Sequence, residues 1–192
     1  NIVIGTINNL SKGSPQKFYI PREYIITSNN TEINAKTTLG LHLVGEKKFF
    51  ANLRFSVFNH AEILTSKGKS ALGKNFYIGM GEQYLPNNAA NRNGLNAIAS
   101  VIATENNTTI KLSGYNKDVI FSDGTTDDEK TIILNKGESY IFETRVSDAT
   151  ANLDGLIGAN LSADKPISVT NGNFLSLAEN KSNYDIIMDQ SA

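Results

Sequence analysis

Phe49-Phe-Ala-Asn-Leu-Arg-Phe-Ser-Val-Phe58 sets the expectation for the whole chain. Phe49, Ala51, Leu53, Phe55 and Val57 alternate with Phe50, Asn52, Arg54, Ser56 and Phe58. A period of two places the first set on the core face of a β-strand and Asn52, Arg54 and, further on, His60 on the other face. A second stretch, Leu95–Thr104, is apolar at both parities, with Ile98 and Ile102 on one side and Ala97, Ala99, Val101 and Ala103 on the other. That suits a central strand covered on both faces, with a short buried helix as the alternative.

Further strands of the same kind are expected at Lys17–Ile20, Tyr24–Thr27, Gly40–Val44, Asn75–Met80, Thr108–Leu112, Asp118–Phe121, Lys130–Leu134, Ser139–Thr144, Pro166–Thr170 and Tyr184–Met188. Turn clusters lie between them: Ser28-Asn29-Asn30, Pro86-Asn87-Asn88, Glu105-Asn106-Asn107, Ser122-Asp123-Gly124, Asn135-Lys136-Gly137 and Asn171-Gly172-Asn173. Short strands separated by such turns predict an all-β fold, an antiparallel β-sandwich with little helix. The alternative is two consecutive related β units. Lys48-Phe49-Phe50-Ala51-Asn52 is echoed 117 residues later by Lys165-Pro166-Ile167-Ser168-Val169, which would divide the chain into sub-units 1–103 and 104–192. Otherwise residues 1–192 form a single module.

Composition narrows the function. Of 192 residues, Asn accounts for 24, Ser for 16, Thr for 15 and Gly for 15, more than a third of the chain, and these residues favour turns. Eighteen basic and 19 acidic residues give a net charge of -1. A nucleic-acid binder needs a basic surplus to displace counterions from phosphate, so nucleic acid is excluded as a partner class. Polybasic attachment to a membrane surface is disfavoured for the same reason. No apolar run approaches the ~18 residues of a membrane span, so no membrane insertion is expected. Without cysteine there is no thiol nucleophile, thiolate metal site or disulfide framework. The chain begins at Asn1 without a signal peptide, which predicts a processed or excised piece of a longer protein.

Catalytic chemistry has little to draw on. The two histidines, His42 and His60, each fall in or beside a predicted strand, and no G-x-S-x-G elbow accompanies the serines. Asp185 and Asp189 share one strand face with Ile187 between them. At about 3.3 Å per residue they are roughly 13 Å apart, wider than the ~5–9.5 Å of a glycosidase pair. The expectation is therefore no catalytic residues and no enzyme. Asn52, Arg54, His60, Asp185 and Asp189 are candidate binding residues instead. Asp123-Gly-Thr-Thr-Asp127-Asp128-Glu129 offers oxygens to Ca²⁺ through Asp123, Asp127 and Asp128, but does not match the calcium-loop pattern, and a solvated turn is the preferred reading. No other cofactor is expected.

Five segments together resemble one family. They are Ala51-Asn-Leu-Arg54 with Leu64-Thr-Ser-Lys-Gly68 and Ala71-Leu-Gly73; Val101-Ile-Ala-Thr-Glu-Asn-Asn-Thr-Thr-Ile110; Leu134-Asn-Lys-Gly-Glu-Ser-Tyr140; Leu153-Asp-Gly-Leu-Ile-Gly-Ala-Asn160 with Ala163-Asp-Lys-Pro-Ile-Ser-Val-Thr-Asn-Gly172; and Tyr184-Asp-Ile-Ile-Met-Asp-Gln190. Over roughly residues 40–190 the chain resembles the bacterial form of the IgGFc-binding protein N-terminal domain. The resemblance implies an extracellular, non-catalytic binding or adhesion module in a large cell-surface protein of the Bacteroidota, of the kind associated with gliding motility and exported by type IX secretion. It implies a host or environmental protein or glycan, and neighbouring domains of the parent protein, as partners, or a spacer role. It does not imply binding of IgG. The alternatives from other classes are a secreted carbohydrate-active hydrolase and a calcium-dependent lectin.

Overall fold

A computed structural model describes residues 2–57, 60–79, 94–177 and 184–192. Among them the fold is all-β and antiparallel, and no helix reaches seven residues. Ten strands occur: β1 (Lys36–Thr37), β2 (Asn52–Val57), β3 (His60–Thr65), β4 (Gly73–Tyr77), β5 (Asn96–Ala103), β6 (Thr108–Ser113), β7 (Glu129–Leu134), β8 (Ser139–Arg145), β9 (Asn160–Leu177) and β10 (Tyr184–Gln190). β2 and β3 pair with each other as a separate hairpin. The other eight form one sheet in the order β1-β8-β5-β9-β6-β7, with β4 and β10 also paired to β9.

β9 organises this sheet. Along one edge it pairs first with β6, Ile110 opposite Ala163, and then with β5, Val101 opposite Val169. Along the other edge it pairs first with β4 and then with β10. On the first edge the neighbour changes at Asp164-Lys165-Pro166, and on the other it changes between Ile167 and Thr170. Proline has no N–H to give to a ladder, and its carbonyl is taken by the Thr104 hydroxyl in the β5–β6 turn. The sheet curls into a nearly barrel-like layer. Alternation then fills the inside: Leu161, Ile167 and Val169 of β9 join Ala97, Ala99, Val101 and Ala103 of β5, Ile110 and Leu112 of β6, Leu134 of β7 and Tyr140 and Phe142 of β8 in one core.

The Leu95–Thr104 reading holds. β5 lies between β8 and β9, with Ala97, Ala99 and Val101 fully buried on one side and Ile98 nearly so on the other. Gly40 approaches that outer face so closely that a Cβ there would lie 2.6 Å from Ile102 Cδ1. The predicted strands at Thr108–Leu112, Lys130–Leu134, Ser139–Thr144 and Tyr184–Met188 are present, and Pro166–Thr170 is the middle of β9. Asn75–Met80 corresponds to β4, with Met80 outside the described residues.

Several expectations are corrected. Phe49–Phe58 is not a strand of the main core. Ala51, Leu53 and Phe55 are half-buried and Asn52, Arg54 and Ser56 exposed, so the parity is right, but Phe49 and Phe50 are exposed and precede the strand. Lys17–Ile20, Tyr24–Thr27 and Gly40–Val44 form no strand, because no neighbouring strand pairs with them. Asp118–Phe121 contributes only a bridge from Phe121 to Thr144. The two segments of the 117-residue echo are placed differently. Lys165 lies within a continuous strand, and β5 from before residue 104 sits between β8 and β9 from after it, so the sheet does not divide at 103/104. The Pro86-Asn87-Asn88 turn lies outside the described residues.

Asn171-Gly172-Asn173 is not a turn either; it lies inside β9. Gly172 has φ +141°, and a Cβ on it would lie 2.0 Å from the Ile187 carbonyl oxygen of β10. Glycine is needed here because the two backbones meet where a side chain would stand. Gly172→Ala should therefore destabilise the fold by more than the ~1–3 kcal/mol of backbone strain alone. Gly124→Ala, at φ +82° in open space, should cost less. Urea unfolding midpoints of the two variants check this, and equal midpoints would refute the close-approach account.

Candidate functional site

The β2–β3 hairpin has two unlike faces. Antiparallel partners share a face, so Leu53 with Leu64 and Phe55 with Glu62 lie on one side, and His60 with them. Asn52 with Thr65, Arg54 with Ile63 and Ser56 with Ala61 lie on the other. The first side turns toward the sheet. The Phe55 ring stacks on Phe174 of β9 at 6.4 Å between centroids. His60 Nδ1 is 3.7 Å from Asp185 Oδ1 on β10. At the far end Lys67 Nζ meets Asp189 Oδ2 at 2.7 Å and the Gln190 carbonyl, while its backbone N–H donates to Gln190 Oε1 at 2.7 Å.

The five candidate binding residues are thereby sorted. His60 and Asp185 come together, and Asp189 joins Lys67, which the sequence reading had not singled out. All three sit at the seam between hairpin and β10. Asp185, Ile187 and Asp189 are exposed on one face of β10 as the period of two required, with Ile186 buried on the other. Asn52 and Arg54 are outside this seam. Arg54 Nε donates to Asn52 Oδ1 at 3.2 Å. Among the described residues its Nη groups have no hydrogen-bond partner. Arg54, Phe55, Ser56, Ala61, Glu62 and Ile63 line a shallow depression of about 280 Å³. A guanidinium fork beside the half-exposed Ile63 offers bidentate contact to a carboxylate together with apolar area.

Asp123 holds a turn and a lysine. Its Oδ1 accepts from the Thr125 N–H at 3.1 Å and the Thr125 hydroxyl at 2.6 Å, which closes the Asp123-Gly124 turn. Its Oδ2 receives the Lys130 ammonium at 3.2 Å. The Lys130 side chain is almost wholly buried with its Nζ over the Phe121 ring, so Asp123 supplies the charge that a buried cation requires. Among the described residues no three His, Asp or Glu side chains are grouped to hold a metal ion, so geometry gives no support to the Asp123, Asp127 and Asp128 alternative. Among the described residues no serine hydroxyl hydrogen-bonds to the His42 or the His60 ring.

A buried polar network escaped the sequence reading. Glu143 of β8, 5% exposed, accepts from Asn96 Nδ2 at 2.8 Å and from Arg145 Nε at 3.0 Å and Nη2 at 2.9 Å. Arg145 Nη2 reaches Asn30 Oδ1 at 3.1 Å. Asn34 Oδ1 receives the Glu143 backbone N–H, and its Nδ2 donates to Ser122. Asn96 in turn bonds Phe174 N through its side chain and Asn173 Nδ2 through its carbonyl. The network fastens residues 30–34 to β8, β5 and β9. A Glu-x-Arg pair at strand spacing was the one available signal, and it reads equally well as a solvated edge.

The IgGFc-binding protein family model matches residues 62–192, more than half of the chain. The chain belongs to the IgGFc-binding protein family. The match begins inside β3, so Ala51-Asn-Leu-Arg54 and the first half of the hairpin lie before it. No curated protein and no solved structure matches. The IgGFc-binding family is one of binding domains rather than enzymes and is typically extracellular. Among the described residues no helix is long and apolar enough to cross a membrane.

Asp123 also sets a pH dependence. Burial alone would raise its pKa, but the Thr125 hydrogen bonds and the Lys130 charge outweigh that and hold it below the ordinary carboxylate value. A lowered folded-state pKa contributes stability above the unfolded value, near 4, and that contribution is lost as pH falls through the folded value. Acid unfolding followed by fluorescence should show a smaller loss of stability below about pH 4 in Asp123→Asn than in the wild type. Identical acid limbs would show that the carboxylate carries no such role.

Proposed function

We propose that the chain is an extracellular, non-catalytic recognition module of a bacterial cell-surface protein, and that it binds a protein or glycan through the outward face of the β2–β3 hairpin. The observation that carries this reading is the two-faced hairpin. Its inner face is held by Phe174, Asp185 and the Lys67–Asp189 pair, while its outer face presents Arg54, Ile63 and the depression between them. A recognition surface needs side chains that are fixed yet uncommitted, and loops or edge hairpins on a rigid sheet provide them. Membership in a family of binding domains supports the same reading. Its bacterial surface setting, the Bacteroidota and type IX context, and adhesion as the outcome follow from the resemblance of the motif segments.

Acidic groups are the chemistry that suits Arg54: a side-chain carboxylate on a protein or an acidic sugar on a glycan. Glycan-array binding and pull-down from serum proteins, run with wild type and Arg54→Ala, test the proposal. A ligand found with wild type should bind at least about tenfold more weakly to Arg54→Ala, the size expected of a central interface arginine. Unchanged affinity would move the binding face elsewhere, and clean negatives in both screens would favour a spacer role.

A further inference from the structure

We propose that Asn52 is the positioning residue of the outward hairpin face, holding Arg54 so that its Nη1–Nη2 edge grips a carboxylate on an acidic segment of a protein partner. The inference rests on the hairpin face being the recognition surface, and it names the partner class of that face. Asn52 and Arg54 stand two apart on β2, so they share a face, about 6.6 Å apart along the strand. Arg54 Nε donates to Asn52 Oδ1 at 3.2 Å. A guanidinium takes a carboxylate with two parallel bonds along either of two edges, Nε with Nη2 or Nη1 with Nη2. The Asn52 bond occupies the first edge and leaves the second, at the tip of the side chain, for a partner.

Asparagine suits this task better than aspartate. Its neutral amide accepts the Nε–H without spending the guanidinium charge, whereas a carboxylate there would itself become the partner. No other acid claims that charge. Glu62, the one carboxylate lining the depression, turns Oε1 to the Ile63 N–H at 2.7 Å. Among the described residues Arg54 makes no ion pair. A long side chain held in this way has less freedom to lose when a partner binds.

Charge and lining identify the partner. Residues 46–69, the hairpin with the segments that lead into and out of it, hold five basic and two acidic residues, a net of +3. The rest of the chain holds 13 basic and 17 acidic, a net of -4. Lys67 is spent on Asp189. Lys47, Lys48 and Lys69 are exposed, and in sequence all three adjoin the end of the hairpin where Asn52 pairs with Thr65. The hairpin is thus a basic patch on an otherwise acidic chain, which favours an acidic partner. The Phe55 ring is already stacked on Phe174, so the lining of the depression offers no free ring as a sugar platform. Its apolar area comes from Ala61 and the half-exposed Ile63 beside the guanidinium. Arginine is over-represented at the centre of protein interfaces, where such area is covered.

A random peptide-display library panned on the wild-type chain supplies the probe, with an oligogalacturonide as the acidic-glycan control. The selected peptides should be enriched in Asp and Glu. They should bind Arg54→Lys and Asn52→Ala at least about tenfold more weakly than wild type. Arg54→Lys keeps the charge and loses the fork, while Asn52→Ala keeps the fork and loses its hold. Both residues are exposed, so neither change disturbs the core. Without any ligand, nuclear magnetic resonance should show the Arg54 Nε–H exchanging with solvent more slowly in wild type than in Asn52→Ala. Equal exchange, or equal peptide binding by Asn52→Ala, would overturn the positioning role. An empty selection, peptides without acidic enrichment, or tighter binding of the oligogalacturonide would overturn the protein partner. Failure of the face itself is distinguished by Arg54→Ala, which would then bind the screened ligand as tightly as wild type.

Discussion

The structure depends on β9 having both edges paired along its length. Four strands lie beside it: β6 and β5 in turn on one edge, β4 and β10 in turn on the other. The β4, β5 and β6 residues lie 47 to 94 positions from their β9 partners in sequence. The entropy of closing those loops is recovered only when β9 is in place, which ties sheet and core together. The buried faces of Leu161, Ile167 and Val169 then fix the direction in which the other strands must turn their apolar residues. A one-residue slip of β9 would expose all three.

The parts of this arrangement that the sequence made legible are those where local pattern and partner coincide. Leu95–Thr104 is apolar at both parities because it sits between two strands with cover on both faces. The Asn107, Gly124 and Gly137 turns were legible because positive φ selects those residues, and the structure gives them +53°, +82° and +82°. Phe49–Phe58 shows the limit of periodicity. Alternation predicts which residues share a face, not how deep that face lies, and here it faces a small seam. Lys17–Ile20 and Gly40–Val44 have strand composition but no partner, and a strand without a partner is only an extended chain. Asn171-Gly172-Asn173 carries turn chemistry because Gly172 serves a close backbone approach, a requirement that arises from β10 and is invisible within the segment itself.

The candidate site was legible to a similar degree. Asn52 and Arg54 could be placed on an outward face from alternation alone. That His60 meets Asp185 could not, since their contact spans most of the chain and depends on the hairpin folding over β10. Lys67 was missed for the same reason. The Glu143 network was missed because its partners, Asn30, Asn34, Asn96 and Arg145, become neighbours only when residues 30–34 dock on β8. The Asn-rich composition, read at first as turn propensity, thus has a second use. Asn34, Asn96, Asn152 and Asn173 each satisfy buried backbone groups that β-ladders leave unpaired.

The two unlike faces of the hairpin link this architecture to recognition. Attachment through Phe55–Phe174 and the Lys67–Asp189 pair leaves Arg54 and Ile63 outward without costing the core any contact. All of it presupposes that β5 and β6 share one edge of β9. The most direct measurement is a set of cross-strand nuclear Overhauser effects in solution. Contacts between the backbones of Val101 and Val169 and of Ile110 and Ala163, seen together in one species, are the predicted result. Absence of either contact, or pairing of β5 and β6 with each other along their lengths, would contradict the account.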